Sequence, residues 1–350
     1  MSALTAPAPP LGEAVASTKA MAMEARLRIP GGAGDEAVAG AAAAALSVFN
    51  EIDHSCTRFD TSSALMRANA AGRRYSRVPP ECLAAIELAH AAYEATGGLF
   101  DPRVLGDLVR LGYDHSLRFS QGTVETRNLA RRRAGLGPWR PRFRAGEVSI
   151  GEHPIDLGGI GKGLALRLAG ESLRRAAIAS FLLEAGGDCL CSGAAPAGGP
   201  WMIGVEDPVV EDPVVEKPAA RQAFVAVLAL SGLACATSSI RVRRWRAGGR
   251  PVHHLIDPRT GLPGGGRLAA VTVVERDPAW AEVWSKALFL AGPAEMARLC
   301  ERRSIAALWV RQDGSLEMSR AMERHVCWRA DTAARQDGDA AAPVGAGAAT

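Results

Sequence analysis

Residues 155–163 read Ile-Asp-Leu-Gly-Gly-Ile-Gly-Lys-Gly, and a second run at 253–261 reads His-His-Leu-Ile-Asp-Pro-Arg-Thr-Gly. Glycine lets main-chain N–H groups approach a ligand closely, and the neighbouring Asp and Lys side chains can recognise a polar, anionic ligand. One such run is weak evidence, because glycine-rich turns are common. Two in one chain indicate a ligand that carries phosphate.

Hydrophobic periodicity and turn residues predict both helices and strands around these runs. Helices are predicted over 35–52 and 80–96, from 164 onward, and over 278–290 and 294–302. Strands are predicted over 181–183, 201–205, 223–230, 268–274 and 305–310. Because these elements do not alternate with a regular βαβ period, the sequence favours an α+β fold over a doubly wound sheet.

Composition is that of an ordinary globular protein, with 48% hydrophobic and 22% charged residues. The net charge of +4 is too small to argue for nucleic acid. The seven cysteines are odd in number and form no pair of Cys-x-x-Cys motifs, which disfavours a zinc site or a disulfide framework. No run reaches the ~18 apolar residues of a membrane span, and no secretory signal is visible, so a cytoplasmic location is expected.

Three segments stand apart from the predicted core. Residues 1–18 and the Ala/Gly-rich residues 331–350 are expected to be a disordered lead and tail, which leaves one domain over 19–330. The Arg-rich residues 127–144 are interpreted as a solvated surface segment rather than a polyanion site. Val-Glu-Asp-Pro-Val-Val occurs twice within 205–215 and predicts a lengthened surface loop without an assigned function.

Six segments, in order, resemble the FAD:protein FMN transferase (ApbE) family over about residues 21–310. They are 53–69 with Arg58-Phe59-Asp60, 97–102 (Gly-Gly-Leu-Phe-Asp-Pro), 155–163, 184–188 (Glu-Ala-Gly-Gly-Asp), 201–208 and 254–261. The resemblance implies an α+β fold of mixed and antiparallel sheets packed with helices, and a flavin pocket between lobes. It also implies transfer of the FMN half of FAD to a Ser or Thr hydroxyl of a target protein, with magnesium and with release of AMP.

The resemblance further implies roles for individual residues. The FAD-binding positions are Phe59, Phe100, Asp101, Asp156, Lys162, Ile256 and Asp257. His254 is the candidate for removing the proton of the acceptor hydroxyl, and the metal positions are Gly159, Glu282 and Lys286. Lys162 and the N–H groups of 158–163 are suitable donors to a diphosphate, more so if a helix begins there.

Each of these residues alone has a simpler interpretation. An isolated Asp156 is as consistent with capping a helix or turn as with binding a ligand. An isolated His254 is more often structural than catalytic, and residues 257–261 form a good turn by themselves. Their occurrence together and in family order favours the functional interpretation.

The sequence departs from the family in the late helix, where the family has Asp and Thr four residues apart as metal contacts. Here those positions hold Glu282 and Lys286, and a protonated lysine cannot ligate magnesium. Three alternatives are open: Lys286 replaces the charge of the metal, Glu282 still binds magnesium while Lys286 swings away, or the chain binds FAD without transferring FMN. Two rival functions follow, a non-catalytic FAD-binding accessory protein for flavoprotein maturation and a FAD pyrophosphatase.

Arg103 is a second departure, since the family has Thr after Phe-Asp-Pro. A phosphate contact and a surface salt bridge are about equally consistent with this arginine in the sequence alone.

Overall fold

The structure is a computed structural model that describes residues 12–115, 125–126, 135–208, 224–330 and 347–348. Four expectations therefore fall partly or wholly outside the described residues. They concern the lead at 1–11, the Arg-rich segment at 127–134, the duplicated loop at 209–218, and the tail from 331 apart from residues 347–348.

The chain contains eight helices and twenty strands within the described residues. The helices are α1 (Glu36–Cys56), α2 (Ala64–Ala71), α3 (Pro80–Ala95), α4 (Leu105–Arg110), α5 (Gly161–Arg175), α6 (Pro278–Ala291), α7 (Pro293–Arg303) and α8 (Arg320–Glu323). The first ten strands are β1 (Ala14–Ala20), β2 (Met23–Ile29), β3 (Ser76–Arg77), β4 (Glu125–Thr126), β5 (Arg142–Arg144), β6 (Glu147–Ser149), β7 (Phe181–Ala185), β8 (Asp188–Ser192), β9 (Trp201–Glu206) and β10 (Phe224–Leu230). The others are β11 (Ala234–Ser239), β12 (Arg244–Ala247), β13 (Arg250–His253), β14 (Ile256–Asp257), β15 (Leu262–Pro263), β16 (Leu268–Glu275), β17 (Ala306–Arg311), β18 (Leu316–Met318), β19 (Val326–Arg329) and β20 (Gly347–Ala348).

An eight-stranded sheet organises the molecule, in the order β1-β2-β7-β8-β11-β16-β17-β18. Every neighbouring pair in it is antiparallel. A second sheet has the order β19-β10-β9-β20, in which only the short β20 is parallel to its neighbour. Helices combined with antiparallel sheets confirm the α+β class expected from the irregular order of elements in the sequence.

The eight-stranded sheet buries a different core on each face. Helices α1, α5 and α6 pack against one face and share a cluster that includes Phe49, Ile160 and Leu190. The other face packs against β9 and β10 in a cluster that includes Cys189 and Cys191. Leu190 and its two neighbours point to opposite faces because side chains alternate along a strand, so the two cysteines are small core residues, as their spacing indicates.

The ordered chain starts earlier than residue 19. Strand β1 includes residues 14–18, which the sequence analysis placed in the lead, and it pairs with β2 along its whole length. The alternation of buried Ala25, Leu27 and Ile29 in β2 makes this hairpin one side of the core. Its turn has Met21 at φ 54° and Ala22 at φ 58°, a left-handed pair that favours glycine, and the Met21 N–H donates to Asp53 Oδ2 at 2.7 Å.

Helix boundaries lie close to the predicted ones, because capping residues fix them. Asp35 is the N-cap of α1 and accepts hydrogen bonds from the N–H groups of Ala37 and Val38. Helix α3 has Pro80 at its first position and ends at Thr96, before Gly97 and Gly98. Helix α5 differs, since it begins at Gly161, inside the glycine run rather than after it.

Six of the seven cysteines are buried, Cys327 is exposed, and all seven are unpaired. Across the part of the chain that the structure describes, no helix is both long enough and apolar enough to cross a bilayer.

Candidate functional site

The glycine run forms the N-terminus of α5. Hydrogen bonds from the N–H groups of Ile160 and Gly161 to the Leu157 carbonyl, both 3.0 Å, close the turn that enters the helix. The N-cap residue, Ile160, has no side-chain hydrogen-bonding group for the first turn. Glu282 of α6 supplies the acceptor instead, since its Oε2 accepts the Gly163 N–H at 2.8 Å. This hydrogen bond holds the Glu282 carboxylate of α6 at the N-terminus of α5, which is the positive end of the helix dipole.

Two lysines and two carboxylates meet at this point. Lys286 Nζ lies 3.0 Å from Glu282 Oε1, and Lys162 Nζ lies 3.8 Å from the same oxygen. Lys162 also forms an ion pair with Asp188, whose other oxygen accepts the Thr237 N–H at 3.0 Å. The lysine side chains are about 15% exposed and the carboxylates nearly inaccessible, so the lysines are the accessible part of the cluster.

Burial and charge oppose each other in this cluster. Burial lowers the pKa of Lys162, but the carboxylates of Asp188 and Glu282 outweigh it and the net shift is upward. Burial raises the pKa of Glu282, but Lys286, Lys162 and the Gly163 N–H outweigh it and hold that pKa below its usual value. For Lys286 burial prevails over the attraction of Glu282, and its pKa is lowered. Burial likewise raises the pKa of Asp188.

His254 lies within reach of the charge of Lys286 and is held by Arg243. The Arg243 carbonyl accepts the His254 backbone N–H at 3.3 Å and lies 3.4 Å from the ring Nδ1. This geometry places the ring proton on Nδ1 and leaves Nε2 as an acceptor. Burial, and then the positive charges of Arg243 and Lys286, hold the pKa of His254 well below its usual value. The imidazole is therefore neutral at neutral pH.

Gly159 and Phe100 border the same cluster. A Cβ on Gly159 would lie 3.1 Å from Phe100 Cε2 and 3.4 Å from the aliphatic part of Lys286. The absence of a side chain at this position therefore lets the run, the aromatic ring and the lysine pack together. Phe100 is buried, and its N–H donates to Thr96 Oγ1 at 3.0 Å, which anchors the Gly-Gly-Leu-Phe turn on the end of α3.

Arg58 brings together Phe59 and Asp156. Its Nε lies 3.5 Å from Asp156 Oδ1, and its guanidinium lies 4.2 Å and 4.3 Å from the ring centres of Phe59 and Tyr113. Arg58 Nη2 is buried and has no acceptor among the described residues, while Phe59 is 45% exposed. Tyr113 packs in the same apolar cluster as Ile256. A donor, a carboxylate and an exposed ring thus form a second polar group, joined to the lysine cluster through the glycine run.

Asp101 and Asp257 are engaged within their own turns. Arg103 holds both oxygens of Asp101, at 3.0 Å and 2.7 Å, and also donates to the Gly137 carbonyl at 2.8 Å. Arg103 is itself buried. The predicted salt bridge does form, but the prediction that it lies at the surface is wrong. The guanidinium binds protein groups rather than phosphate. Asp257 is held in the same way by Arg259, at 2.8 Å and 2.9 Å. The FAD-binding roles of the two aspartates stay predictions.

The residues at the expected metal position do not fit a magnesium ion. Magnesium needs near-octahedral oxygen ligands at about 2.0–2.1 Å. Both oxygens of Glu282 are occupied, one by the Lys286 ammonium and one by the Gly163 N–H. The described residues contain no group of three or more His, Cys, Asp or Glu side chains placed to hold a metal. The i,i+4 pair of Glu282 and Lys286 does form, as its spacing indicates, but it is buried rather than exposed.

A separate groove of about 800 Å³ lies between β1 and α1. It is lined mainly by small apolar side chains, and its charged members include Glu13, Asp35 and Glu36. Three carboxylates disfavour an anionic ligand, whereas the lysine cluster favours one. The chemistry of the molecule therefore points to the lysine cluster rather than to this groove.

The sequence model of the ApbE family matches residues 21–309. The chain is a member of the ApbE family. The match contains the glycine run, His254 and both residues of the Glu282–Lys286 pair, and it confirms the resemblance recognised from the six ordered segments.

Among curated members of the ApbE family, a FAD:protein FMN transferase of Rhodobacter capsulatus is 28% identical over 257 residues, which is 72% of this chain and 46% of that protein. One of Klebsiella pneumoniae (strain 342) is 29% identical over 166 residues, 47% of this chain and 48% of that protein. The chain thus matches about half the length of these relatives.

Solved structures of the ApbE family share the fold. The ApbE protein of Thermotoga maritima superposes with a TM-score of 0.73 at 24% identity, covering 89% of this chain and 99% of that one. The apo form of the flavinyl transferase ApbE of Pseudomonas stutzeri gives 0.71 at 22% identity, covering 89% and 96%.

Three residues of the site carried no predicted role in the sequence. Asp188 and Arg58 lie within family-like segments. The only sequence signals for them are that Asp188 follows a predicted strand and that Arg58 precedes an aromatic residue. Arg243 had none, because it lies in an Arg-rich stretch, 241–246, whose members look alike in sequence. Only the fold separates Arg243, beside His254, from its exposed neighbour Arg244.

Proposed function

We propose that the chain is a FAD:protein FMN transferase, which moves FMN from FAD to a Ser or Thr hydroxyl of an acceptor protein and releases AMP. The observation that carries the proposal is the convergence of Lys162 and Lys286 at the N-terminus of α5, with a neutral His254 within reach of the charge of Lys286. Cations and helix N–H groups bind a diphosphate, and a neutral imidazole accepts a proton. Membership of the ApbE family supports the same reaction.

The reaction is a displacement at phosphorus. The acceptor oxygen attacks the phosphorus of the FMN half, the bond from that phosphorus to the bridging oxygen breaks, and AMP leaves with the bridging oxygen. His254 Nε2 takes the proton of the acceptor hydroxyl. The residues that bind FAD mainly position it and neutralise the diphosphate, which is the main requirement of phosphoryl transfer.

The remaining predicted residues have roles consistent with this reaction. Lys162 neutralises phosphate charge, and Phe100 and Gly159 form the wall beside Lys286. The exposed Phe59 ring offers a stacking surface, and the free Nη2 of Arg58 beside Asp156 offers a donor to the polar edge of a ring system. These assignments belong to the proposal.

The test is a transfer assay with an acceptor domain of the family type. The purified chain, FAD and the acceptor are incubated with and without Mg²⁺, and flavin fluorescence is read on a denaturing gel, with AMP release measured by chromatography. We expect a fluorescent acceptor band with one AMP per flavin transferred, and a loss of at least about 100-fold in rate for His254→Ala. An acceptor whose Ser or Thr is changed to Ala serves as the control and should stay dark.

The same assay separates the rival functions. The engagement of both Glu282 oxygens by protein groups favours a FAD-binding accessory protein, which would bind FAD stoichiometrically and give no band. A FAD pyrophosphatase would release free FMN and AMP without any acceptor. Either result would overturn the transferase proposal.

A further inference from the structure

Two helices place two ammonium groups on one carboxylate oxygen. Lys286 Nζ of α6 and Lys162 Nζ of α5 lie 3.0 Å and 3.8 Å from Glu282 Oε1. Lys286 lies one turn from Glu282 on the same helix, and its stem packs beside Gly159. The position of the Lys286 ammonium group is therefore determined by the helix backbone and by this packing, unlike that of a flexible lysine on the surface.

The carboxylates have no free oxygen for a metal ion. Glu282 Oε2 accepts from the Gly163 N–H, and Asp188 uses its two oxygens for the Thr237 N–H and for Lys162. A divalent ion would have to displace an ammonium group from Glu282 and then find further ligands. In this arrangement the Lys286 ammonium group already occupies the position of a cation beside Glu282.

Positive charge exceeds negative charge in the cluster. Lys162, Lys286 and Arg243 carry three positive charges, and Glu282 and Asp188 carry two negative ones. Arg243 is half-buried, lies close enough to Lys162 and His254 to disfavour their charged forms, and has no carboxylate partner among the described residues. The two lysines balance the two carboxylates, so the excess is the charge of the half-buried Arg243, and it favours an anion at this site. An ammonium group has three donors, and Lys286 uses one of them on Glu282.

We propose that Lys286 is the cation that binds the diphosphate of FAD, together with Lys162 and Arg243, so that FAD binding by this chain does not depend on Mg²⁺. The proposal rests on the transferase function above, because it names the group that holds the substrate of that reaction. It replaces the metal position of the family with a residue of this chain, and it assigns Arg243 to the same binding site.

The test is a FAD titration followed by flavin fluorescence, once in EDTA and once in excess Mg²⁺. We expect the dissociation constant of the unmodified chain to agree within about twofold between the two conditions. Lys286→Met should raise it at least about tenfold in EDTA, since a charge-assisted hydrogen bond is lost. Lys19→Met makes the same chemical change on the exposed face of β1 and should leave the dissociation constant unchanged.

A second variant guards against misfolding, because Lys286→Met leaves the buried Glu282 with only the more distant Lys162 as an ion-pair partner. Glu282→Gln with Lys286→Met removes both charges and keeps an oxygen for the Gly163 N–H, and it should show the same loss of FAD affinity. Arg243→Ala should also weaken binding in EDTA.

Each outcome bears on a different statement. Binding by the unmodified chain that requires Mg²⁺ would overturn the role of Lys286 and leave the transferase function standing. Unchanged FAD affinity in both Lys286 variants, with their folding confirmed by circular dichroism, would do the same. An unmodified chain that binds no FAD in either condition would overturn the transferase function itself.

Discussion

Glu184 is a carboxyl group buried in the central sheet. It lies in β7, opposite Arg26 of β2 and Cys189 of β8. Burial raises the pKa of Glu184 to about 7, and the charges of Arg28 and Arg26 offset only part of that effect. The side chain is therefore protonated in the native protein at mildly acidic pH, where a glutamate in the unfolded chain is ionised.

The sign of the pH effect follows from proton binding. Between the ordinary pKa of 4.5 and about 7, the native state binds more protons than the unfolded state, so stability falls as pH rises through that range. Glu184→Gln keeps the side chain neutral. We expect the variant to match the unmodified chain near pH 4.5 and to exceed its unfolding free energy by about 2–3 kcal/mol at pH 8.

Urea denaturation at the two pH values measures this difference. The exposed Glu323 offers the matched control, since Glu323→Gln should change stability by less than about 0.5 kcal/mol at either pH. Equal destabilisation by Glu184→Gln at both pH values would contradict the prediction.

At the residue scale, the sequence identifies site residues that belong to a recognisable motif. It misses site residues that only tertiary structure brings to the site. Lys162 and His254 lie in ordered family segments and Glu282 lies at a family metal position, and the structure pairs Lys162 with Glu282 and brings His254 within reach of the charge of Lys286. Arg243 reaches the site only because β12 and β13 place its carbonyl over His254. A local pattern carries no information about such a pairing.

At the scale of elements, the contact between α5 and α6 determines the geometry of the lysine cluster. A Cβ on Gly163 would lie 2.6 Å from Ala279 Cα and 2.6 Å from the Pro278 carbonyl oxygen, both backbone atoms that cannot turn aside. Asp277 of α6 caps that helix and also pairs with Arg167 of α5. The two helices can therefore approach this closely only with glycine at 163.

Gly163→Ala should push the helices apart and lower the free energy of unfolding by about 1–3 kcal/mol. FAD affinity should fall as well, since the Gly163 N–H and Glu282 separate. Gly161→Ala, two residues earlier in α5, is the control: a Cβ there meets no atom within 4 Å, so stability should be unchanged or up to about 1 kcal/mol higher.

Thermal unfolding and FAD titration of the two variants give the comparison. Equal free energies of unfolding of the two alanine variants would contradict the prediction, because α5 and α6 would then move apart without loss of stability.

Elements with strong periodicity and caps were predictable, and short edge elements were not. Helix α3 and strand β17 lie within a residue or so of their predictions, because each is marked by turn residues and buried side chains. The sequence predicts that α5 begins at residue 164, three residues after its actual start at Gly161. Glycine is a poor helix former, and the acceptor for the first turn comes from Glu282, which is distant in sequence.

At the scale of the whole molecule, the second core extends beyond the residues that the sequence model of the family matches. The family match ends at residue 309, yet α8 and β19 complete the cluster on the far face of the central sheet. Met322 of α8 is fully buried there, and β19 pairs with β10. Residues 310–330 are therefore part of the folding unit.

Met322→Ala should lower the free energy of unfolding by about 2–5 kcal/mol through the cavity it leaves. Met318→Ala, in the half-buried β18, removes the same atoms from a partly solvated position and should cost less than half as much. Chemical denaturation measures both values, and equal costs would place Met322 outside the core.

Because six of the seven cysteines are buried, the reactivity of each thiol shows whether the region around it has opened. Five thiols lie in the two cores, Cys300 of α7 is buried in a third cluster, and Cys327 lies on the surface, so a maleimide reagent modifies one position in the closed molecule. Each further adduct records a region that has opened: Cys56 and Cys82 report the helical side, while Cys189, Cys191 and Cys235 report the space between the sheets. Counting adducts by mass spectrometry would then show whether the two halves of the molecule come apart together or one before the other.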